Sequence, residues 1–409
     1  MSDIIRKNIA DRMGGAAFGT DTKLYKFAKI KKAKDEAVKS NPGRQIIDMG
    51  VGEPDYPADP VVVERLKQEA GKPENRWYAD NGILEFQLAA AAYMEKTYKV
   101  GGLSEKNIIH GIGSKSILSM LPGCFINPGD VTLMTIPGYP VLGTHTRYLG
   151  GDVFNMPLVR ENGFFPDLDA VPGDVLARAK LLYINYPNNP TGRIATPEFY
   201  KRVVDFAHRN NLVIVSDAAY AALTFDSKPL SILNIDGAFD VALEVHSLSK
   251  AFNMTGWRMA FVVADELLVR LFGTIKDNTD SGQFRAIQKA GIAALEHPEI
   301  TVDTLQKYSR RADLLVDALN SVGFSAEKPQ GTFYCYVKSP KGTGTGITFK
   351  NAEEASQYLI KEALVSTVPW DDAGAYLRFS LAFEAADAEA EKVIINETKN
   401  RLEKLQLAF

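Results

Sequence analysis

The sequence has little cysteine and almost no excess of charge of either sign, and each shortage excludes a class of protein. Two cysteines occur among 409 residues, Cys124 and Cys335, and they form no Cys-x-x-Cys pair. A disulfide framework and a zinc ribbon are therefore not supported. The 47 basic and 50 acidic residues leave a formal net charge of -3, which gives no electrostatic reason to expect nucleic acid as a partner.

Long apolar runs are also missing. A membrane helix needs about 18 consecutive apolar residues, and the best stretch, 260–272, is interrupted by Asp265, Glu266 and Arg270. The first ten residues carry charges and lack the apolar core of a signal peptide. The five histidines include no pair spaced four residues apart, so we expect no metal site. These absences predict a soluble, cytoplasmic protein without membrane or nucleic-acid partners.

Apolar strands alternate with amphipathic helices through the middle of the chain, which at 409 residues is long enough for more than one domain. The predicted strands lie at 131–136, 152–156, 179–186, 212–216, 241–246 and 259–264. The predicted helices lie at 116–121, at 141–148 and from Pro197 onward, with Thr196 as the capping residue. Continuous Val, Ile and Leu runs separated by helices indicate an α/β fold with a mainly parallel sheet covered on both faces.

The pattern changes near residue 300. A long charged helix at 301–322 precedes a strand at 332–337, a Gly-rich loop at 341–346, a helix at 352–362 and a strand at 376–383. This order is typical of a smaller α+β domain. We therefore predict an N-terminal arm with part of the small domain at 1–55, a large domain at 56–298 and a small C-terminal domain at 299–409.

Polar residues directly after the predicted strands form the candidate site, because ligands of parallel sheets bind beyond the carboxyl ends of the strands. They form four groups: Gly111-Ile112-Gly113-Ser114-Lys115, Asn188-Asn189-Pro190-Thr191-Gly192, Asp217-Ala218-Ala219-Tyr220, and Ser247-Leu248-Ser249-Lys250 with Arg258 eight residues later. Each group alone is a common turn or a solvated lysine. Their order and spacing together indicate one site.

Two of these groups suit a phosphate. A Gly-rich turn that opens a helix presents backbone N–H groups and a positive dipole end to an anion, and this turn carries Gly113, Ser114 and Lys115. Hydroxyl donors and a bidentate cation for the same anion come from the last group, at Ser247, Ser249 and Arg258.

Five further side chains suit a pyridine ring attached to that phosphate. A carboxylate at Asp217 can hold the ring nitrogen protonated, so its pKa is expected below the ordinary value of about 3.9. Lys250 supplies an amine that can form a Schiff base and later carry a proton. Asn189 and Tyr220 are suited to donate to the ring's phenolic oxygen, and Tyr139, in a Pro-bounded turn, to stack on its face.

Together these residues resemble the fold-type I pyridoxal 5′-phosphate aminotransferases of classes I and II. The matching motifs are Pro137-x-Tyr139-Pro140, Asn189-Pro190-Thr191-Gly192, Asp217-x-x-Tyr220, Ser247-x-Ser249-Lys250 with Arg258, and Tyr376-Leu377-Arg378-Phe379-Ser380. The resemblance implies an aspartate-aminotransferase-like fold whose large domain holds pyridoxal 5′-phosphate on Lys250. It also implies that Arg378 binds the α-carboxylate of the substrate, beside Gly52 of the Gly50-Val51-Gly52-Glu53-Pro54 segment.

The same resemblance implies a homodimer whose active sites borrow residues from the partner, among them a tyrosine shortly before a glycine. The family usually places that tyrosine five residues before the glycine. Here Trp77 lies five residues before Gly82 and Tyr78 four residues before it. We assign the contact with the partner's phosphate to Tyr78.

Within the family, several strings are most similar to LL-diaminopimelate aminotransferases. They are 161–168, Asp217-Ala218-Ala219-Tyr220, and the early Lys23-Leu24-Tyr25-x-Phe27 followed by Gly50-Val51-Gly52. The resemblance implies transfer of an amino group between LL-2,6-diaminopimelate and 2-oxoglutarate.

A substrate with a second amino-acid head needs partners at its far end. We expect Asp80 to accept from the distal ammonium, and Lys115 with Tyr25 to bind the distal carboxylate. The alternative for Asp80 is a cap on the helix that follows Gly82. The Gly331-Thr332-Phe333 turn departs from the family, which more typically has asparagine in this turn.

Other functions stay open from the sequence alone. One is an aminotransferase for aspartate, alanine or aromatic amino acids, or a carbon–sulfur lyase of the same fold. Another is a regulator built on this fold, which would carry a winged-helix module before it. The cofactor fold begins within about 25 residues of Met1, so we do not expect such a module.

Overall fold

The computed structural model describes residues 3–20 and 26–409. Its α-helices are α1 Asp3–Lys7, α2 Lys26–Ser40, α3 Pro60–Ala70, α4 Leu84–Tyr93, α5 Ser114–Met120, α6 Pro122–Phe125, α7 Val141–Tyr148, α8 Gly173–Leu176, α9 Pro197–Asn210, α10 Leu248–Ala251, α11 Glu266–Asp277, α12 Arg285–Glu296, α13 Ile300–Ser321, α14 Ala352–Tyr358 and α15 Ala388–Glu403. Its strands are β1 Ile47–Asp48, β2 Ile108–Gly111, β3 Val131–Ile136, β4 Asp152–Pro157, β5 Ala179–Asn185, β6 Val213–Asp217, β7 Ala242–Ser247, β8 Ala260–Ala264, β9 Tyr334–Lys338, β10 Gly342–Thr343, β11 Val365–Ser366, β12 Val368–Trp370, β13 Tyr376–Ser380 and β14 Leu407–Ala408.

A seven-stranded sheet in the order β2-β8-β7-β6-β5-β3-β4 forms the centre of the fold. The strands from β7 to β4 pair in parallel, whereas β8 runs antiparallel to both β7 and β2. Helix α9 connects β5 to β6, and Thr196 caps it by accepting a hydrogen bond from the backbone N–H of Phe199. The predicted mainly parallel α/β architecture is confirmed.

The sheet separates two apolar cores, because successive side chains of a strand point to opposite faces. On β5, Leu182 and Ile184 join the core that also receives the buried face of α9. Leu181 and Tyr183 join the core on the opposite face of the sheet. Both faces are therefore covered, as the continuous apolar strands predict.

A smaller α+β unit is built around the antiparallel sheet β12-β13-β9. The early strand β1 pairs in parallel with β11, and α2 packs on the same unit through Ile30 and Ala37. Residues of α2 and β1, which precede α3, therefore pack against elements of the smaller unit. The domain limits after residues 55 and 298 stay predictions.

Five of the sequence-based expectations differ from the structure by two residues or more, or in the kind of element. The strand expected at 376–383 ends at Ser380. Helix α5 begins at Ser114, two residues earlier than predicted. Strand β9 begins at Tyr334, because Thr332 has a φ of 66° and so cannot extend the strand backward. The expected loop at 341–346 contains strand β10, which pairs with β14. The helix expected at 352–362 is α-helical only to Tyr358 and continues as a π-turn to Ala363.

A buried ionic cluster fixes the chain that enters α3. Asp55 accepts hydrogen bonds from Lys307 Nζ at 2.9 Å and from Arg311 Nη1 at 3.0 Å. Arg311 is fully buried and also donates through Nε to Glu391 Oε1 at 2.9 Å. Because buried charges are tolerated only when paired and hydrogen-bonded, this cluster holds Asp55 to the small unit, and with it the neighbouring residues 50–52.

No helix within residues 3–20 and 26–409 is long and apolar enough to cross a membrane. The same residues contain no group of His, Cys, Asp and Glu side chains that could hold a metal ion.

Candidate active site

The direction of the strands brings the predicted site residues to one edge of the sheet. Strands β2, β3, β5, β6 and β7 run the same way, because β8 is antiparallel to both of its neighbours. Their carboxyl ends therefore meet at one edge, where the start of β8 also lies. The four polar groups singled out in the sequence follow β2, β5, β6 and β7, and Arg258 precedes β8.

Asp217 ends β6 as a buried carboxylate. Its Oδ2 accepts a hydrogen bond from Tyr183 Oη at 2.8 Å, and its Oδ1 accepts from the backbone N–H of Ala219 at 3.2 Å. Burial raises the pKa of Asp217 to about 6, against the lowering effect of these two hydrogen bonds and of His246. In the protein alone, desolvation thus outweighs the hydrogen bonds. The expectation of a pKa below 3.9 concerns a carboxylate that faces a cationic ring, and it stays a prediction.

Lys250 lies in helix α10, one strand away from Asp217. Its Nζ donates to the backbone carbonyl of Gly52 at 2.8 Å. The pKa of Lys250 is lowered to about 8, chiefly by burial and also by Arg258 and Arg378, against the raising effect of Glu53. A lysine with this pKa is partly neutral near physiological pH, which a nucleophilic or proton-carrying amine requires.

A positively charged cradle lies between the turn before α5 and the start of β8. Gly113 has a φ of 76°, and a Cβ atom there would collide with Arg258 Nη2, so only glycine allows the guanidinium to lie against this turn. Arg258 also donates to Ser249 Oγ at 3.5 Å. Ser247 caps α10 by accepting from the backbone N–H of Ser249. Ser114 occupies the first position of α5.

Arg378 lies on β13 of the small unit and reaches across to the large one. It is 2% exposed; its Nη1 donates to Asn189 Oδ1 at 2.9 Å, and its Nη2 donates to the carbonyl of Gly50 at 3.4 Å. Its guanidinium lies 3.9 Å above the ring of Tyr334, whose hydroxyl is 3.2 Å from that of Tyr220. The buried Nε of Arg378 has no hydrogen-bond partner among residues 3–20 and 26–409.

The remaining predicted residues differ in their exposure. Tyr139 is half-buried in the turn after β3, against the apolar core that contains Tyr183. Lys115 is exposed on the first turn of α5. Tyr78 is 77% exposed. Tyr25 lies outside the described residues.

Asp80 does not cap a helix. Helix α4 begins at Leu84 with Ile83 as its capping residue, and no side chain accepts from its first turn. Asp80 is exposed, and its backbone carbonyl accepts from Lys276 Nζ. The capping alternative is therefore wrong, and the carboxylate faces solvent in the described chain.

These groups fit a phosphorylated pyridine aldehyde. The buried carboxyl of Asp217, with its pKa raised by burial, gains from a cationic neighbour, which a protonated pyridine nitrogen provides. The Gly113 turn, Arg258 and the serine hydroxyls form an anion cradle. The amine of Lys250 has a pKa suited to attack on an aldehyde.

Two tyrosines of the site are not identified by the sequence argument. Tyr183 donates to Asp217, and Tyr334 lies between Tyr220 and Arg378. Both occur inside predicted strands, where a tyrosine is indistinguishable from an ordinary core residue. For Tyr183 the signal that the sequence offers is the alternation of side chains along a strand. It puts Tyr183 on the same face as Asn185, whose Nδ2 donates to the carbonyl of Asp217 at 2.8 Å.

The chain is similar to aminotransferases over nearly its whole length. The family model described as aminotransferase class I and II matches residues 44–392. An LL-diaminopimelate aminotransferase of Methanocaldococcus jannaschii is 56% identical over 100% of both chains, and one of Methanococcus maripaludis is 52% identical with the same coverage. The solved substrate-bound structure of BacF from Bacillus subtilis has a TM-score of 0.85 at 33% identity, over 95% of this chain and 97% of that chain.

The lowered pKa of Lys250 can be tested without any ligand. Since a lysine reacts only as the neutral amine, we expect Lys250 in the cofactor-free protein to be methylated with a midpoint near pH 8, against about 10.4 for a solvated lysine. Glu53→Gln removes the neighbouring negative charge that favours the ammonium, so its midpoint is expected lower still. Peptide mass spectrometry after brief reductive methylation at each pH measures this. A Lys250 profile that coincides with those of the exposed lysines in the same sample contradicts the assignment.

Proposed function

The chain belongs to the class I and II aminotransferases, and we propose that it transfers an amino group between LL-2,6-diaminopimelate and 2-oxoglutarate, a reaction of lysine biosynthesis. The proposal depends on one observation: Lys250, Asp217 and Arg378 lie together at one edge of the sheet. Their settings suit an amine nucleophile, a partner for a ring nitrogen and a partner for a carboxylate, respectively. The 56% identity to an LL-diaminopimelate aminotransferase over the full chain supports the substrate. We place the reaction in the cytoplasm, in keeping with small metabolites as substrates.

Aminotransferases of this class use pyridoxal 5′-phosphate, and we propose the same cofactor here. When bound, it supplies an aldehyde that captures the amino group and a pyridinium that withdraws electrons from the α-carbon. The Gly113 turn with Ser114, together with Ser247, Ser249 and Arg258, would hold its phosphate. Tyr139 would cover one face of its ring, and Asn189 and Tyr220 would bind its phenolic oxygen.

Two groups of the chain would hold and move the protons of the reaction. Asp217 would keep a proton on the ring nitrogen, since an ionised carboxylate in a buried site is stabilised by a cation beside it. Lys250 Nζ would carry the cofactor and then move a proton at the substrate α-carbon, because a pKa near 8 lets the amine both accept and release it.

Arg378 would bind the α-carboxylate of both substrates. Its buried Nε lacks a partner in the described chain, and its Nη1 and Nη2 bond to neutral oxygens of Asn189 and Gly50. A carboxylate forms charge-assisted, bidentate hydrogen bonds with a guanidinium, so it is a stronger acceptor for Arg378 than these neutral oxygens. Gly52, whose carbonyl accepts from Lys250, closes the same pocket.

We further propose a homodimer with shared sites. Trp77 and Tyr78 are 57% and 77% exposed, an unusual setting for two adjacent large aromatic side chains and one suited to burial against another surface. In the dimer, Tyr78 would reach the partner's phosphate, and Asp80 would accept from the distal ammonium of the substrate. Lys115 and Tyr25 would bind the distal carboxylate.

The proposed substrate is tested by half-reactions. The purified enzyme loaded with pyridoxal 5′-phosphate is mixed in single turnovers with diaminopimelate isomers, glutamate, aspartate and tyrosine, and the absorbance of the cofactor–lysine linkage is followed. We expect LL-diaminopimelate and glutamate to react at least about a hundredfold faster than tyrosine, because a site built for two charged heads rejects a substrate that leaves them unpaired. Lys250→Ala cannot form this linkage and serves as the control in steady-state assays, where it is expected to lose turnover by several orders of magnitude.

An enzyme inert toward every diaminopimelate isomer but active on aromatic amino acids or aspartate contradicts the proposed substrate. It would leave the assignment of the cofactor residues in place.

The role of Asp80 is tested by the ratio of two substrates. Asp80→Asn keeps the shape but removes the charge, so kcat/KM for LL-diaminopimelate is expected to fall about ten- to a hundredfold. Glutamate has no distal ammonium, so its half-reaction should change little. Glu85→Gln, an exposed acid shortly after Asp80 in the chain, is the matched control. Equal losses for both substrates would show that Asp80 does not recognise the distal ammonium.

A further inference from the structure

Tyr183 is a fully buried phenol whose hydroxyl points at the carboxylate of the site. It lies on β5, the neighbour of β6, and its Oη is 2.8 Å from Asp217 Oδ2. Burial, and then the charge of Asp217, raise the pKa of Tyr183 well above its ordinary value. The hydroxyl therefore stays protonated at every working pH and is always available as a donor to Asp217.

Strand β5 contacts Asp217 at two points. Tyr183 and Asn185 lie on the same face of the strand because they are two residues apart, and Asn185 pairs in register with Asp217. Tyr183 binds the side chain of Asp217, while Asn185 Nδ2 donates to its backbone carbonyl. Asn185 Oδ1 in turn accepts from the backbone N–H of Asn189 at 3.0 Å. One strand thus fixes both the acid and the turn that carries Asn189.

We propose that Tyr183 is a positioning residue for the reaction: its hydroxyl holds one oxygen of Asp217 and favours the ionised carboxylate, which leaves the second oxygen to face the ring nitrogen of the cofactor. The link to the ring nitrogen rests on the proposed function, whereas the effect on the carboxylate concerns the protein alone. Oδ1 accepts one hydrogen bond, from Ala219, and a carboxylate oxygen has room for a second.

Three titratable groups face Asp217 from the elements packed around it. Tyr183 comes from β5, Tyr220 from the turn after β6, and His246 from β7. His246 is paired with Glu244 at 2.7 Å. Of the three, Tyr183 donates directly to the carboxylate, so removal of its hydroxyl deletes a hydrogen bond to Asp217 and leaves the side chains of the other two in place.

The test compares two buried tyrosines. Tyr183→Phe removes the donor to Asp217, and Tyr186→Phe, the matched control, removes a similarly buried hydroxyl that donates to the carbonyl of Phe164 at 2.7 Å. In the cofactor-free protein labelled with ¹³C-aspartate, the carboxyl resonance that disappears in Asp217→Asn is titrated. We expect a midpoint near pH 6 in the wild type and about one unit higher in Tyr183→Phe, since each hydrogen bond to the ionised form favours ionisation by roughly that amount. Tyr186→Phe should match the wild type.

A second variant keeps the test decisive if Tyr183→Phe does not fold. Incorporation of 3-fluorotyrosine at position 183 retains ring and hydroxyl but makes the donor more acidic, so the Asp217 midpoint should fall below that of the wild type. Equal midpoints in the wild type and in the folded position-183 variants would overturn the proposal. A shifted midpoint in an enzyme that is inert toward every diaminopimelate isomer would support the role of Tyr183 and reject only the proposed substrate.

Discussion

The buried carboxylate of Asp217 is the constraint around which the site is arranged. A charge removed from water is costly unless it is hydrogen-bonded and paired, and in the protein alone this carboxyl has two donors and a pKa raised to about 6. A cation beside it would complete the site. The protonated nitrogen of a pyridine ring is such a cation, and the cofactor that we propose for this site carries one.

The topology supplies the rest of the site. One antiparallel strand, β8, lets the Gly113 turn and Arg258 meet at the edge where β5, β6 and β7 end. The small unit contributes Arg378, and the ionic cluster at Asp55 fixes the segment whose carbonyls accept from Arg378 and Lys250. Residues from both units thus contact one another at one site.

The sequence predicts well what depends on local pattern. Strands β3 and β4, helix α7 and the Thr196 cap lie at or within one residue of the predicted positions, because apolar periodicity and capping are local. It predicts poorly what depends on neighbours far along the chain. The burial that raises the pKa of Asp217 and the contact of Tyr183 with this carboxylate both depend on the pairing of β5 with β6 inside the sheet.

The protonation state of the pyridine nitrogen, which we propose Asp217 maintains, can be measured directly. The ¹⁵N chemical shift of pyridoxal 5′-phosphate labelled at the ring nitrogen is recorded in the loaded wild type and in Asp217→Ala across the pH range where the protein is folded. The account predicts a pyridinium shift in the wild type that persists above pH 8 and a neutral pyridine in the variant. A neutral pyridine in the wild type, or a pyridinium that survives the loss of Asp217, would contradict it.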